Sequence, residues 1–247
     1  MTRRARFVLF LLAATAVAVL YVAGVLATPP FGSAEHPYRD RAVAAAVAHA
    51  TANVVSAVNY DQRAFDTLGE ETILLGSVIG AAALLRPTDQ ERTDSAVDDA
   101  GAVQDAVGLV GYLVLPVTLV IGLDLVAHGH LTPGGGFQGG VVLGTAVHLL
   151  YLTGRFRTLE RARPVGIFTG GEALGTTAFA AVGLAGIVTG AGFLADVVPL
   201  GTFGALLSAG TVPLLNVAVG VEVASGVVVL LARFLEQALR VRQEESG

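Results

Sequence analysis

Long apolar runs, separated by short polar stretches, dominate the chain. A helix needs about 20 mostly apolar residues to cross a bilayer, with a range of about 17–25. Phe7–Leu26 meets that length without a charged residue. Further runs predict spans over Thr67–Leu85, Val107–Ala127, Phe137–Thr153, Ala173–Leu194 and Val212–Ala232. Two of these are compromised. Ile73–Leu85 alone is too short, so the second span must take in Glu70 or lie against it, and Phe137–Thr153 carries Gln138 and His148. Ala42–Val58 is alanine-rich and is interrupted by His49, Asn53 and Ser56.

Arginine placement sets the orientation. Arg3, Arg4 and Arg6 precede the first run, and Arg155, Arg157, Arg161 and Arg163 form the most basic loop. Both belong on the cytoplasmic side. An even number of crossings must separate them, which excludes Ala42–Val58 as a span and makes it an interfacial amphipathic helix on the outer face. The predicted fold class is an all-α integral membrane protein of about six transmembrane helices plus that interfacial helix. Both termini are then cytoplasmic, with Arg233, Arg240 and Arg242 near the second. The first run has a rival reading as a cleaved signal, with Val25-Leu26-Ala27 as the cleavage site. A signal's apolar core is about 7–15 residues, so the length favours an uncleaved helix.

Composition agrees. The 247 residues are 53% hydrophobic and 14% charged, with a mean hydropathy of +0.69, against roughly 25% charged in a soluble domain. Cysteine is absent, which excludes disulfides, Cys-ligated zinc and Fe–S clusters for this chain acting alone. Every fixed cation is arginine, and none lies in a basic stripe suited to nucleic acid. Hydropathy excludes a soluble enzyme, no nucleophile–base pair is evident, and the chain is expected not to be an enzyme. The net charge of −5 comes partly from Asp89–Asp105, a polar stretch that reads as a cytoplasmic linker. It divides the chain into a two-helix unit over 1–88 and a four-helix unit over 106–236, followed by a cytoplasmic tail over 237–247.

Residues 128–140 read HGHLTPGGGFQGG. Gly134, Gly136 and Gly139 match the spacing of a dinucleotide fingerprint, but no strand precedes them, and a phosphate loop needs a lysine that the chain lacks. Pro133 suits a helix start. Gly136, Gly140, Gly144 and His148 then recur every four residues along one helix face. Such a stripe permits close helix packing in lipid, and a wet, ion-conducting groove predicts the same residues. Asp124 and His128 share a face at i,i+4. With His130 they are weak evidence for a metal, and an Asp–His pair anchoring the loop is the simpler reading. No metal and no cofactor is assigned.

Ionisable groups in or beside spans usually face a protein interior or a wet cavity. Asp61, Arg63, Asp66, Glu70 and Glu71 cluster at the second run, with Asp66 and Glu70 on one face. Their plain reading is a helix start with an Arg63 ion pair. Glu172 opens the fifth run and reads as an interfacial helix-start acid. Glu222 lies mid-span, with Asn216, Gly220, Ser225 and Gly226 nearby. A carboxyl at that depth is protonated, paired with another chain, or on an ion path.

Together these motifs resemble a known family. His130, Pro133, Gly134, Gly135, Gly136, Phe137, Gly139 and Gly140 look like the signature of the B subunit of Mrp-type multisubunit Na+/H+ antiporters. The run from Ser208 through Pro213, Asn216 and Gly220 to Glu222 is similar to that family's last helix. The segment Asp61–Glu70 resembles the C-terminal membrane part of the large A-type component, which also occurs as a small separate subunit in energy-converting hydrogenases. The resemblance implies a fusion of the two, joined at the acidic linker. It implies a subunit of a multisubunit Na+/H+ antiporter in a prokaryotic cell membrane, contributing to ion passage and assembly beside A-, C-, D-, E-, F- and G-type subunits, with Na+, H+ and lipid as its small partners. Asp66, Glu70, Glu222 and His148 become pathway candidates, supported by Asp61, Arg63, Asp124, His128 and Asn216. Two residues depart from the pattern: Gln62 replaces an expected aromatic and Glu71 an expected apolar residue. The alternative function is a membrane-arm subunit of a redox-driven, hydrogenase-like ion pump.

Overall fold

A computed structural model of the chain describes residues 3–28, 32, 34–85, 105–153 and 165–244. These residues are mainly helical, with no strand among them. Five helices are long and apolar enough to cross a membrane: α1 (Arg3–Leu26), α4 (Ala64–Leu84), α5 (Asp105–Ala127), α7 (Val165–Val188) and α8 (Val212–Glu244). The run expected at Phe137–Thr153 forms α6 (Gly136–Thr153), whose 18 residues give a length of about 27 Å. It packs between α5 and α8. The basic loop and the acidic linker expected from the sequence lie outside the described residues, or almost wholly so.

The chain divides into a unit over Met1–Asp40 and a unit over Arg41–Gly247. In the first, α1 is exposed along its whole apolar length. In the second, α4 packs with α7 and α8 in the same body as α5 and α6. Contacts fix the directions. Gly136, Gly140 and Gly144 of α6 meet Val219, Val223 and Val227 of α8 in order, so these helices run parallel. Gly171 and Gly175 of α7 meet Ser225 and Ala218 in reverse order, so α7 runs antiparallel to α8. Glu71 faces Glu222 and Val78 lies beside Gly226, in the same order, so α4 runs parallel to α8. The core gathers Tyr60, Ala64, Phe179, Leu194, Leu215, Val219 and Val223.

Ala42–Val58 is not one helix. It breaks into α2 (Pro37–Ala48), α3 (Val54–Ala57) and a π-turn, π1 (Val58–Gln62). At 12 residues α2 spans about 18 Å, too short to cross. It buries only Ala42 and Ala46, one turn apart. Its end is a Schellman closure: Thr51 N donates to Ala46 O at 2.9 Å and Ala50 N to Val47 O at 3.1 Å. Ala50 occupies the left-handed position with φ 54°. The same closure ends α7 at Gly190, φ 78°, through Ala191 N to Gly186 O at 3.0 Å. The fifth run is therefore shifted from its expected Ala173–Leu194: the helix starts eight residues earlier and stops six residues sooner.

Candidate ion site

The glycine loop is tied down by two asparagines. Asn53 caps α3 by accepting from Val55 N at 3.1 Å and Ser56 N at 3.4 Å. Its Nδ2 donates to Gly129 O at 2.7 Å and Thr132 O at 2.8 Å. Asn216, fully buried, accepts from Gly136 N at 2.9 Å and donates to Ser56 Oγ and Val212 O, both at 3.1 Å. Side-chain bulk has no room here: a Cβ on Gly135, φ 137°, would lie 2.9 Å from Asn216 Oδ1. The α6 stripe is a packing seam. A Cβ on Gly136 or Gly140 would come within 2.7 Å of the Cβ of Val219 or Val223. Gly139 sits on the other side of α6, against Gly122 and Val126 of α5. At the far end of the seam His148 is buried, and its Nδ1 donates to Gly144 O at 2.8 Å.

Three carboxyl groups lie inside the helix bundle. Glu71 on α4, Glu172 on α7 and Glu222 on α8 are each at most 1% exposed. Gly175 brings α7 directly onto the Glu222 backbone, since a Cβ there would lie 2.8 Å from Glu222 N. One turn on, the Glu172 carboxyl and Val78 of α4 both lie against Gly226 of α8. The Glu71 carboxyl faces that of Glu222, and the Glu172 carboxyl approaches the same stretch of α8 at Gly226. With all three carboxyls ionised, no protein donor satisfies either oxygen of Glu71 or Glu222, or Oε1 of Glu172, among the described residues, and a proton shared between Glu71 and Glu222 would join that pair. Burying a carboxylate without partners costs several kcal/mol. Such a group holds a proton or meets a cation. Glu222 stands ten residues into α8, about 15 Å from its start and so near mid-membrane depth.

The other predicted residues are placed differently. Asp66 and Glu70 lie on the outward face of α4. Asp66 accepts from Arg63 Nε at 2.6 Å, the ion pair of a helix start. Asp61 bonds His49 Nδ1 at 2.7 Å, and burial pushes its carboxyl above the ordinary carboxylate range against the pull of that histidine. Asp124 and His128 pair at 2.8 Å on the surface. His130 turns away from them into the protein, where its Nε2 donates to Leu206 O at 3.1 Å and burial pushes the imidazole below its ordinary value. Glu172 is not a helix-start acid, because α7 begins at Val165. The neighbouring small residues Gly171 and Gly175 are the signal in the sequence that this face of α7 packs inward.

Comparison with known proteins agrees with this architecture. Residues 107–229 match the domain related to the MnhB subunit of Na+/H+ antiporter. An uncharacterised protein of Methanocaldococcus jannaschii is 29% identical over 203 residues, 70% of this chain and 73% of its own length. The A/B subunit of a probable K+/H+ antiporter of Rhizobium meliloti is 32% identical over 128 residues, 44% of this chain but only 13% of its own. Among solved structures, a chain of the membrane-bound sulfane sulfur reductase, an archaeal respiratory membrane complex, superposes with a TM-score of 0.67 at 28% identity. That match covers 95% of this chain and 99% of the other. A chain of the Mrp complex from Dietzia sp. DQ12-45-1b shares the fold with a TM-score of 0.68 at 24% identity, covering 94% of this chain and 26% of the other. Residues 107–229 of this multi-helix membrane protein are thus a domain related to the MnhB subunit of Na+/H+ antiporter.

Proposed function

We propose that the chain is a membrane subunit of a multisubunit monovalent cation/proton antiporter, and that Glu71, Glu172 and Glu222 form its part of the ion path. The observation that carries this is the meeting of three buried carboxyls, five of their oxygens without a protein donor when ionised, in the interior of a bundle that contains the MnhB-related domain. A carboxyl that accepts either a proton or a cation exchanges one for the other without covalent chemistry. Asp66 and Glu70 then line the outer face of α4, where a neighbouring protein of the complex completes their surroundings. His148 closes the α6 seam at the end away from the glycine loop. The expected partners are the other antiporter subunits, of A, C, D, E, F and G type, in a prokaryotic cell membrane with both termini cytoplasmic.

Glu222→Gln, Glu71→Gln and Glu172→Gln keep side-chain volume and remove the charge. Exchange by membrane vesicles should fall at least about tenfold, or about 1.4 kcal/mol, for Glu222→Gln, with the complex still assembled on native gels. Wild-type exchange in all three variants, with assembly intact, would sink the proposal.

A second reading is favoured by one finding. The reductase chain is matched over 99% of its length, whereas the antiporter relatives are much longer than this chain. A redox-driven complex would use the same fold as a membrane-arm subunit. Gentle extraction followed by mass spectrometry separates the two: large antiporter-like subunits alone support the first, and co-purified Fe–S subunits the second.

A further inference from the structure

A second cluster lies at the end of the bundle where α4, α6 and α8 begin. His49 follows α2, Asp61 lies in π1, and Asp196 lies in the segment between α7 and α8. One ligand atom from each falls within 4.8 Å of the others. His49 Nδ1 stands 2.7 Å from Asp61 Oδ2 and 3.5 Å from Asp196 Oδ2.

Two carboxylates thus converge on one imidazole nitrogen, and that nitrogen carries at most one proton. It is committed to Asp61, and Asp196 Oδ2 is buried with no hydrogen bond. Asp196 is held in place through its other oxygen, which accepts from Thr211 N and Thr211 Oγ1, both at 2.8 Å. Gly210 leaves space for it, since a Cβ there would lie 2.2 Å from Asp196 Oδ1. The π-turn fixes Asp61 and the Schellman closure fixes His49, so three separate elements hold the three groups before any ion arrives. Both aspartates are largely buried, at 13% and 16% side-chain exposure, while His49 is 46% exposed and opens the cluster to solvent.

We infer that His49, Asp61 and Asp196 form a binding site for a divalent transition cation of the Zn2+ type, with three protein ligands and a fourth position open to water. The donor set is one imidazole and two carboxylates, which Zn2+ accepts. Zinc bonds of about 2.0–2.2 Å place tetrahedral ligand atoms about 3.4 Å apart. The 3.5 Å separation of His49 Nδ1 from Asp196 Oδ2 meets that spacing. The 2.7 Å His49–Asp61 contact opens when the metal replaces the proton they share. The site joins α2, π1 and the entry to α8, so its ion would clamp that end of the bundle.

The full-length chain, purified in detergent and stripped with a chelator, should bind one Zn2+ per chain by calorimetry and elemental analysis. His49→Ala should weaken binding at least about tenfold, and Asp61→Asn should do the same. Loss of His49 also leaves the largely buried Asp61 without its partner, so the metal-free variant should unfold at a somewhat lower temperature, and binding is scored on protein shown to be folded. His128→Ala removes the other surface Asp–His pair and should leave binding intact. The inference is overturned if the stripped protein takes up no Zn2+, if binding survives both the His49 and Asp61 substitutions, or if His128→Ala abolishes it. The readout is binding, so it stands or falls independently of any transport assay.

Discussion

Gly139 shows how far a single missing methyl group decides the packing. An added Cβ there would lie 2.4 Å from Val126 Cγ2, 2.8 Å from Gly122 O and 2.9 Å from Val126 N. Two of these are backbone atoms and cannot step aside. Gly139→Ala should therefore destabilise the protein by about 1–3 kcal/mol. Gly76→Ala, on a helix with open space around it, should be neutral or stabilise by up to about 1 kcal/mol. Thermal unfolding of the two variants in detergent compares them directly. His130 gives a pH test. Burial lowers its folded pKa, and its buried Nδ1 has no hydrogen-bond partner to receive a proton donated from that nitrogen. The unfolded chain titrates near pH 6.5. Below that value the unfolded state binds the extra proton, so the contribution present above about pH 6.5 is lost as the pH falls toward the lower folded value. The unfolding temperature should drop as the pH is taken from mildly alkaline to mildly acidic, with a shallower drop in His130→Gln. The glycine seam and the depth of Glu222 were legible in the sequence, because four-residue spacing and distance from the run's ends need no tertiary knowledge. Glu71 was not. It differs from Glu70 by a rotation of about 100° on α4, and the rotation is set by Ala64 and Thr67 packing inward after the π-turn.

Helix ends repeat the same lesson at larger size. Hydropathy located every apolar run but not where its hydrogen-bonded turns begin and stop. Val165–Thr169 is apolar enough to extend α7 backwards, and that extension carries Glu172 from a helix start into a buried third turn. The stop comes from Gly190, whose left-handed backbone closes the last turn while apolar residues still follow. Ala50 closes α2 with the same hydrogen bonds but with a side chain in that conformation, which costs about 1–2 kcal/mol. Ala50→Gly should raise stability by up to about 1 kcal/mol. Gly190→Ala, whose Cβ would meet nothing within 4 Å, should lower it by about 1 kcal/mol. Denaturation of the paired variants checks both signs. The π-turn left no trace in the hydropathy pattern: Arg63 N reaches back five residues to Val58 O at 2.8 Å, a choice made by local packing and by Thr67 Oγ1 donating to Asn59 O at 2.6 Å.

Across the whole molecule, the shared interior is wider than the family match. That match begins at residue 107, yet α4, which precedes it, supplies Glu71 to the cluster and Val78 to the face of α8. Ser56, also outside the match, accepts from the buried Asn216 amide at 3.1 Å. The contacts that seat α4 on α7 and α8 are therefore made by side chains on both sides of the acidic stretch, and none of them needs the stretch itself. We propose that the peptide between the two parts serves to raise their effective concentration and to keep their ratio at one to one. Severed within 89–104 and produced as two polypeptides, the fragments should find each other in the membrane and co-purify as a complemented pair. Recovery of either fragment alone would mean that the covalent tether, rather than the shared interior, holds the halves together.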